Sequence, residues 1–189
     1  MRNVGWGQQK PKAMTKTSTL ITATLFASIL LFGCKNSGEP RKATQEKTEM
    51  SSEEKETAKR EISARVDEIV KGANSLNVDA AIKPYSNEAD FKIVNPDASL
   101  ADYQTMKNTQ NEAFKTLASM NFKTIKQDFT FLETDLVMCT WTGSNEFELK
   151  SGEKMKIEPY VGSMLFRKRN NEWSIVYAHE TAAPPVTIR

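Results

Sequence analysis

Glu172-Trp-Ser-Ile-Val-Tyr-Ala-His-Glu180 is the stretch whose reading decides the fold. Alternation along it puts Trp173, Ile175, Tyr177 and His179 on one side of a pleated strand, with Val176 and Ala178 on the other. Apolar groups on both faces place such a strand in the middle of a sheet. It also carries the only histidine of the chain, beside a tyrosine and a glutamate, so acid–base or ligand chemistry is expected to gather there.

Working outward, Arg169-Asn170-Asn171 reads as a turn into this strand, and Met155 to Phe166 as the strand before it. Ser151-Gly152 turns again. Leu136 to Thr142 runs apolar, Gly143-Ser144-Asn145 is a bulge or loop, and Glu146 to Lys150 resumes the alternation. Phe122 to Leu132, closed by Glu133-Thr134-Asp135, completes four long antiparallel strands. Upstream the period changes from two to 3.6. Ser51 and Glu54 have capping-box spacing, and Ile62, Val66, Ile69, Ala73 and Leu76 recur at helical intervals, with Gly72 weakening the last turn. A shorter helix from Val78 to Lys83 stops at Pro84, and Ala89 to Val94 reads as a short strand. Ser99 and Asp102 suggest a second capping box, opening a helix that buries Leu100, Tyr103, Met106, Gln110, Ala113, Phe114, Leu117 and Met120. Helices gathered before a run of strands predict an α+β domain in which a curved antiparallel sheet wraps around N-terminal helices.

The stretches Tyr85-Ser-Asn-Glu-Ala-Asp-Phe91 and Trp173-Ser-Ile-Val-Tyr-Ala-His-Glu-Thr181 resemble the SnoaL-like branch of the nuclear transport factor 2-like superfamily. The resemblance spans the folded part, with Trp173, Ile175 and His179 in the family's order. It implies a cone-shaped, cystatin-like fold, a pocket between sheet and helices, and commonly a homodimer built on the sheet. Proton-shuttling isomerases of that superfamily carry an aspartate before a proline at the end of the first strand. Here Asn95 precedes Pro96, and an amide takes no proton at neutral pH; read two residues earlier, the position is Ile93. Asp90 and Asp128 are the remaining candidate bases, although solvated strand edges are the plainer role for both.

The candidate pocket residues are therefore His179 and Tyr177, two apart on the last strand, with Tyr85, Tyr103, Trp141 and Tyr160 as amphipathic wall residues. No Gly-rich phosphate loop, no Gly-x-Ser-x-Gly elbow and no second histidine appears, so no cofactor or metal is implied. Cys139, inside an apolar run, reads as a small buried hydrophobe.

The N-terminal quarter has another character. Leu20 to Gly33 is an apolar run too short to span a bilayer as a mature helix, preceded by Arg2, Lys10, Lys12 and Lys16 without an acidic residue. It ends in Leu31-Phe32-Gly33-Cys34, which resembles the lipobox of bacterial lipoproteins. That resemblance implies cleavage before Cys34 and acylation of its thiol; the plainer alternative is an ordinary signal peptide ending beside a thiol. Met14, with Lys16 close to the apolar run, offers a cleaner start. The expected organisation is a signal peptide over 1–33, a polar tether over 34–50, the SnoaL-like domain over 51–182 and a tail over 183–189 that leaves the sheet. Such a tether would hold the domain roughly 20–25 Å from the lipid by the square-root rule for flexible chains. Once the four N-terminal basic residues are set aside, 22 of the chain's 26 lysines and arginines face 24 acidic residues, so no basic surplus argues for nucleic acid.

The sequence thus predicts a lipid-anchored protein of the bacterial envelope, on the periplasmic side of the outer membrane. Its domain is expected to bind a small apolar or amphipathic ligand, or a protein partner, without turnover. The alternative is an acid–base enzyme of the SnoaL type, an isomerase, cyclase or hydrolase using His179 and a carboxylate.

Overall fold

The computed structural model describes residues 49–189. The signal peptide, Cys34 and nearly all of the expected tether lie outside the described residues.

Helix α1 (Ser52–Asn74) opens on the expected capping box: Glu54 N–H donates to Ser51 Oγ at 3.2 Å, and Ser51 N–H donates to Glu54 Oε2 at 2.7 Å. Its apolar stripe, Ala58, Ile62, Val66 and Ala73, is buried against the rest of the domain. A Schellman motif ends it, with Asn77 N–H donating to Gly72 O, Leu76 N–H to Ala73 O, and Leu76 in the left-handed region at φ 51°. Asn77 then caps α2 (Val78–Ile82) through Ala80 N–H, and Pro84 follows as the stop.

Strand β1 (Lys92–Val94) pairs with the two-residue β2 (Leu100–Ala101). This pairing overturns the expected Ser99 cap. The backbone stays extended through Ala101, so Asp102 is the residue that caps α3 (Tyr103–Thr116), accepting from Thr105 N–H at 2.8 Å, and Leu100 is exposed. Helix α3 also stops earlier than its periodicity suggests, because Leu117 to Phe122 are taken up as ladder partners of the next strand.

Four long strands follow in a meander: β3 (Leu117–Glu133), β4 (Leu136–Leu149), β5 (Lys154–Arg169) and β6 (Glu172–Ala182). Asn170 and Asn171, both at positive φ (49° and 65°), make the two-residue turn into β6, a backbone that asparagine tolerates better than most residues. The sheet order is β2-β1-β6-β5-β4-β3, with β1 parallel to β6 and the meander antiparallel, so β6 is internal as its two-sided apolar pattern implied. The tail departs from expectation. Pro184-Pro185 interrupts pairing, but Val186–Ile188 forms β7 against Lys154–Lys156, the part of β5 that β6 leaves unpaired.

The core lies between α1, α2, α3 and the concave face, with Ile62, Ile82, Phe91, Ile93, Phe166 and Ile175 essentially without solvent contact. A polar clasp lies at its edge: Trp173 Nε1 and Lys168 Nζ each donate to Glu61 Oε2 at 2.8 Å, tying α1 to the hairpin of β5 and β6. The buried indole N–H thereby finds an acceptor.

Candidate functional site

The side chains that β6 presents to the concave face are set by one irregularity. Phe166 pairs with Ile175 and Leu165 with Tyr177, so Val176 is an extra residue with no partner on β5. A single extra residue inverts the parity of everything after it. Trp173 and Ile175 point into the core, as expected. Beyond Val176 the inward residues are Ala178 and Glu180, while Tyr177 and His179 are exposed on the convex face. The expected His179–Tyr177 pocket is therefore corrected: both side chains lie on the wrong side of the sheet, and the inward ionisable group is Glu180.

Glu180 borders a cavity of about 280 Å³ between the helices and the concave face. Across the sheet, Trp141 pairs with Gly162 and Gly162 with Glu180, so these three residues form one row of the floor. Gly162 leaves a gap in that row, since a Cβ built there would meet nothing within 4 Å. Gly143 serves Trp141, whose indole lies where a side chain at 143 would be. Trp141 Nε1 donates to Thr124 Oγ1 at 2.9 Å. Phe122, Trp141 and Tyr160 stack edge to face with centroids 5.5–6.2 Å apart, making a continuous aromatic wall. Val66, Ile69 and Val70 of α1 and Met106 and Phe114 of α3 close the apolar side opposite.

Against these walls stands a small polar set. Tyr160 Oη donates to Glu180 Oε2 at 2.6 Å. Burial pushes Glu180 above the ordinary carboxylate range, against the opposing pull of the Tyr160 bond and the neighbouring His179. Burial also raises Tyr160 and Tyr85, and the nearby Glu180 charge raises both further, so both phenols stay protonated. Asn145 and Gln110 line the same cavity, and their side-chain oxygens are buried without a hydrogen-bond partner among the described residues.

Of the other expected wall residues, Tyr85, Trp141 and Tyr160 line the cavity. Tyr103 does not; it packs edge to face on Phe91 at 6.3 Å in the core. Asn95 reaches the cavity rim and holds Ser99 through its side chain. Asp90 and Asp128 are exposed, and Cys139 is fully buried, its thiol pushed up to about 12 by loss of solvent, which leaves it unreactive. Sequence reasoning missed Glu180, Asn145 and Gly162 as site residues. No local signal marks Glu180, because an internal strand that is apolar on both faces keeps the same pattern with or without an extra residue.

No protein-family model matches the sequence, and no curated protein does. Solved structures do. A hexachlorocyclohexane dehydrochlorinase (LinA, type 2) superposes with TM-score 0.65 at 9% identity over 74% of this chain and 94% of its own. A nuclear transport factor 2-like superfamily protein of Salmonella enterica serovar Typhimurium gives 0.61 at 12% over 69% and 94%. A Caulobacter vibrioides protein with a cystatin-like fold gives 0.58 at 12% over 68% and 91%. The fold is the nuclear transport factor 2-like cone. Within that cone the cavity fills the space enclosed by α1, α3 and the curled sheet, and Glu180 stands on its floor.

The position of Glu180 has a pH signature. The folded cone retains this proton above the pH at which the unfolded chain loses it. Stability contributed by Glu180 is therefore greatest at low pH, falls as pH rises through that window, and levels off above the folded value. Glu61 acts oppositely, since bonding to Lys168 lowers it. Subtracting the pH–stability curve of Glu180→Gln from that of the wild type isolates Glu180, and the difference should decline with pH. A difference that is flat from about pH 4 to 8 would show that the carboxyl is solvated like a surface one.

Proposed function

We propose that the domain binds one small amphipathic molecule in the concave cavity and does not turn it over, and that lipid on Cys34 ties it to the bacterial envelope. The observation that carries the binding reading is one cavity of about 280 Å³ that joins an aromatic wall of Phe122, Trp141 and Tyr160 to a single carboxyl, Glu180. Native mass spectrometry of the protein purified from its own host should reveal a bound molecule of small mass. Consistently empty protein that also fails to take up any apolar probe would end this reading.

The anchoring part rests on Leu31-Phe32-Gly33-Cys34 after an apolar run. Cys34→Ser should leave the precursor uncut or release the protein into the soluble fraction. Normal maturation with unchanged membrane association would count against lipidation.

A second reading, acid–base turnover, is supported by Glu180, a carboxyl whose proton affinity is raised inside an apolar cavity. The His179 dyad has no part in it, because that imidazole faces away from the cavity. Turnover of any captured molecule that Glu180→Gln abolishes without weakening binding would favour the enzyme.

A further inference from the structure

We infer that the ligand is an organic ammonium ion carried on a flat apolar body, an amphipathic amine. The inference rests on the small-ligand reading above and names its chemical class. The residues lining the cavity include one carboxyl, Glu180, and no lysine, arginine or histidine. Each element facing Glu180 brings neutral groups: α1 is aliphatic there, α3 offers Gln110, β4 offers Trp141 and Asn145, β5 offers Tyr160, and Tyr85 comes from the segment after α2. His179, the one basic side chain whose charge acts on Glu180, projects from the opposite face of β6. Glu180 thus stands in an apolar cavity without a counter-ion inside it.

The hydrogen-bond inventory agrees. One oxygen of Glu180 accepts from Tyr160, and the other has no donor among the described residues. The other polar side chains beside it, Asn145 and Gln110, are neutral amides that leave its charge unbalanced. The aromatic wall of Phe122, Trp141 and Tyr160 suits the same guest, since ring faces attract a cation and also bury its apolar body. An anionic guest would meet the carboxylate with no compensating positive charge. The gap above Gly162 lies between the indole and the carboxyl, so a flat ring seated on the wall can send its ammonium toward Glu180.

Calorimetric titration of the full chain with tryptamine, the isosteric alcohol tryptophol and indole-3-acetate tests this. Tryptamine should bind at least about tenfold more tightly than tryptophol, with indole-3-acetate weakest. Glu180→Gln should remove most of the preference for tryptamine over tryptophol. A second readout needs no variant: ammonium binding pulls Glu180 back toward ionisation, so protons should be released on binding at low pH. Repeating the titration in buffers of different ionisation enthalpy, from about pH 4.5 to 8, should show release that fades as pH rises. Equal affinity for amine and alcohol in the wild type, or a preference for the amine that Glu180→Gln leaves intact, overturns the amine assignment while the small-ligand reading stands. Failure of all three indoles and of an uncharged apolar dye to bind overturns both.

Discussion

Gly72→Ala is expected to destabilise the domain by about 2 kcal/mol or more, although alanine normally gains roughly 1 kcal/mol over glycine inside a helix. A Cβ built at Gly72 would lie within 2.7 Å of three backbone atoms of Ala80 and Ala81. Those atoms belong to α2, which packs directly on the last turn of α1, and backbone cannot swing aside as a flexible side chain can. The helices would have to separate, opening the contact that buries Ala73, Val78, Ala81 and Ile82. Gly72 O also accepts from Asn77 N–H in the cap, so displacement would strain the connection that starts α2. Urea denaturation of the variant measures the effect. A rise in midpoint, the ordinary outcome for glycine to alanine in a helix, would mean that α1 and α2 do not approach so closely in solution.

Gly162→Leu is expected to do the reverse, leaving folding intact while reducing ligand binding about 100-fold, a loss of some 3 kcal/mol. A Cβ at Gly162 meets nothing within 4 Å, so the first carbon enters free space. The remaining three extend over the floor between Trp141 and Glu180, the volume assigned to the ligand. Filling an apolar cavity adds buried hydrocarbon, so thermal stability should hold or rise. Native mass spectrometry and tryptamine titration of this variant report directly on the cavity. Retained affinity would place the ligand elsewhere, while a collapse in stability would show that the gap above Gly162 is already closed. The two glycines are indistinguishable in composition; the space around each decides opposite outcomes.

Much of the fold was legible in the residues. Ser51 and Glu54 mark the start of α1 because their side chains serve each other's backbone within four residues, and no distant partner is needed. Pro84 ends α2 and Asn170-Asn171 turns β5 into β6 for equally local reasons. The two-sided apolar character of residues 173–178 placed β6 inside the sheet, and the change of period from 3.6 to two separated the helical half from the meander. Each of these depends on neighbours a few positions away, the range over which sequence constrains structure directly.

Pairing between distant strands decided the rest. Residues Leu117–Met120 continue a helical pattern, yet β4 claims them as a strand. Val186–Ile188 follow a proline pair that interrupts the ladder, but β5 offers an open edge where β6 ends. Gly72 reads as a weak point in a helix until Ala81 is brought against it. The largest consequence is at Val176. Whether that residue is paired or extra depends on how β5 and β6 align along their whole length, and on that alignment rests the choice between His179 and Glu180 as the group facing the cavity. Period-two alternation states which residues share a face only while the ladder is regular, and a single bulge, fixed by tertiary pairing, reverses it.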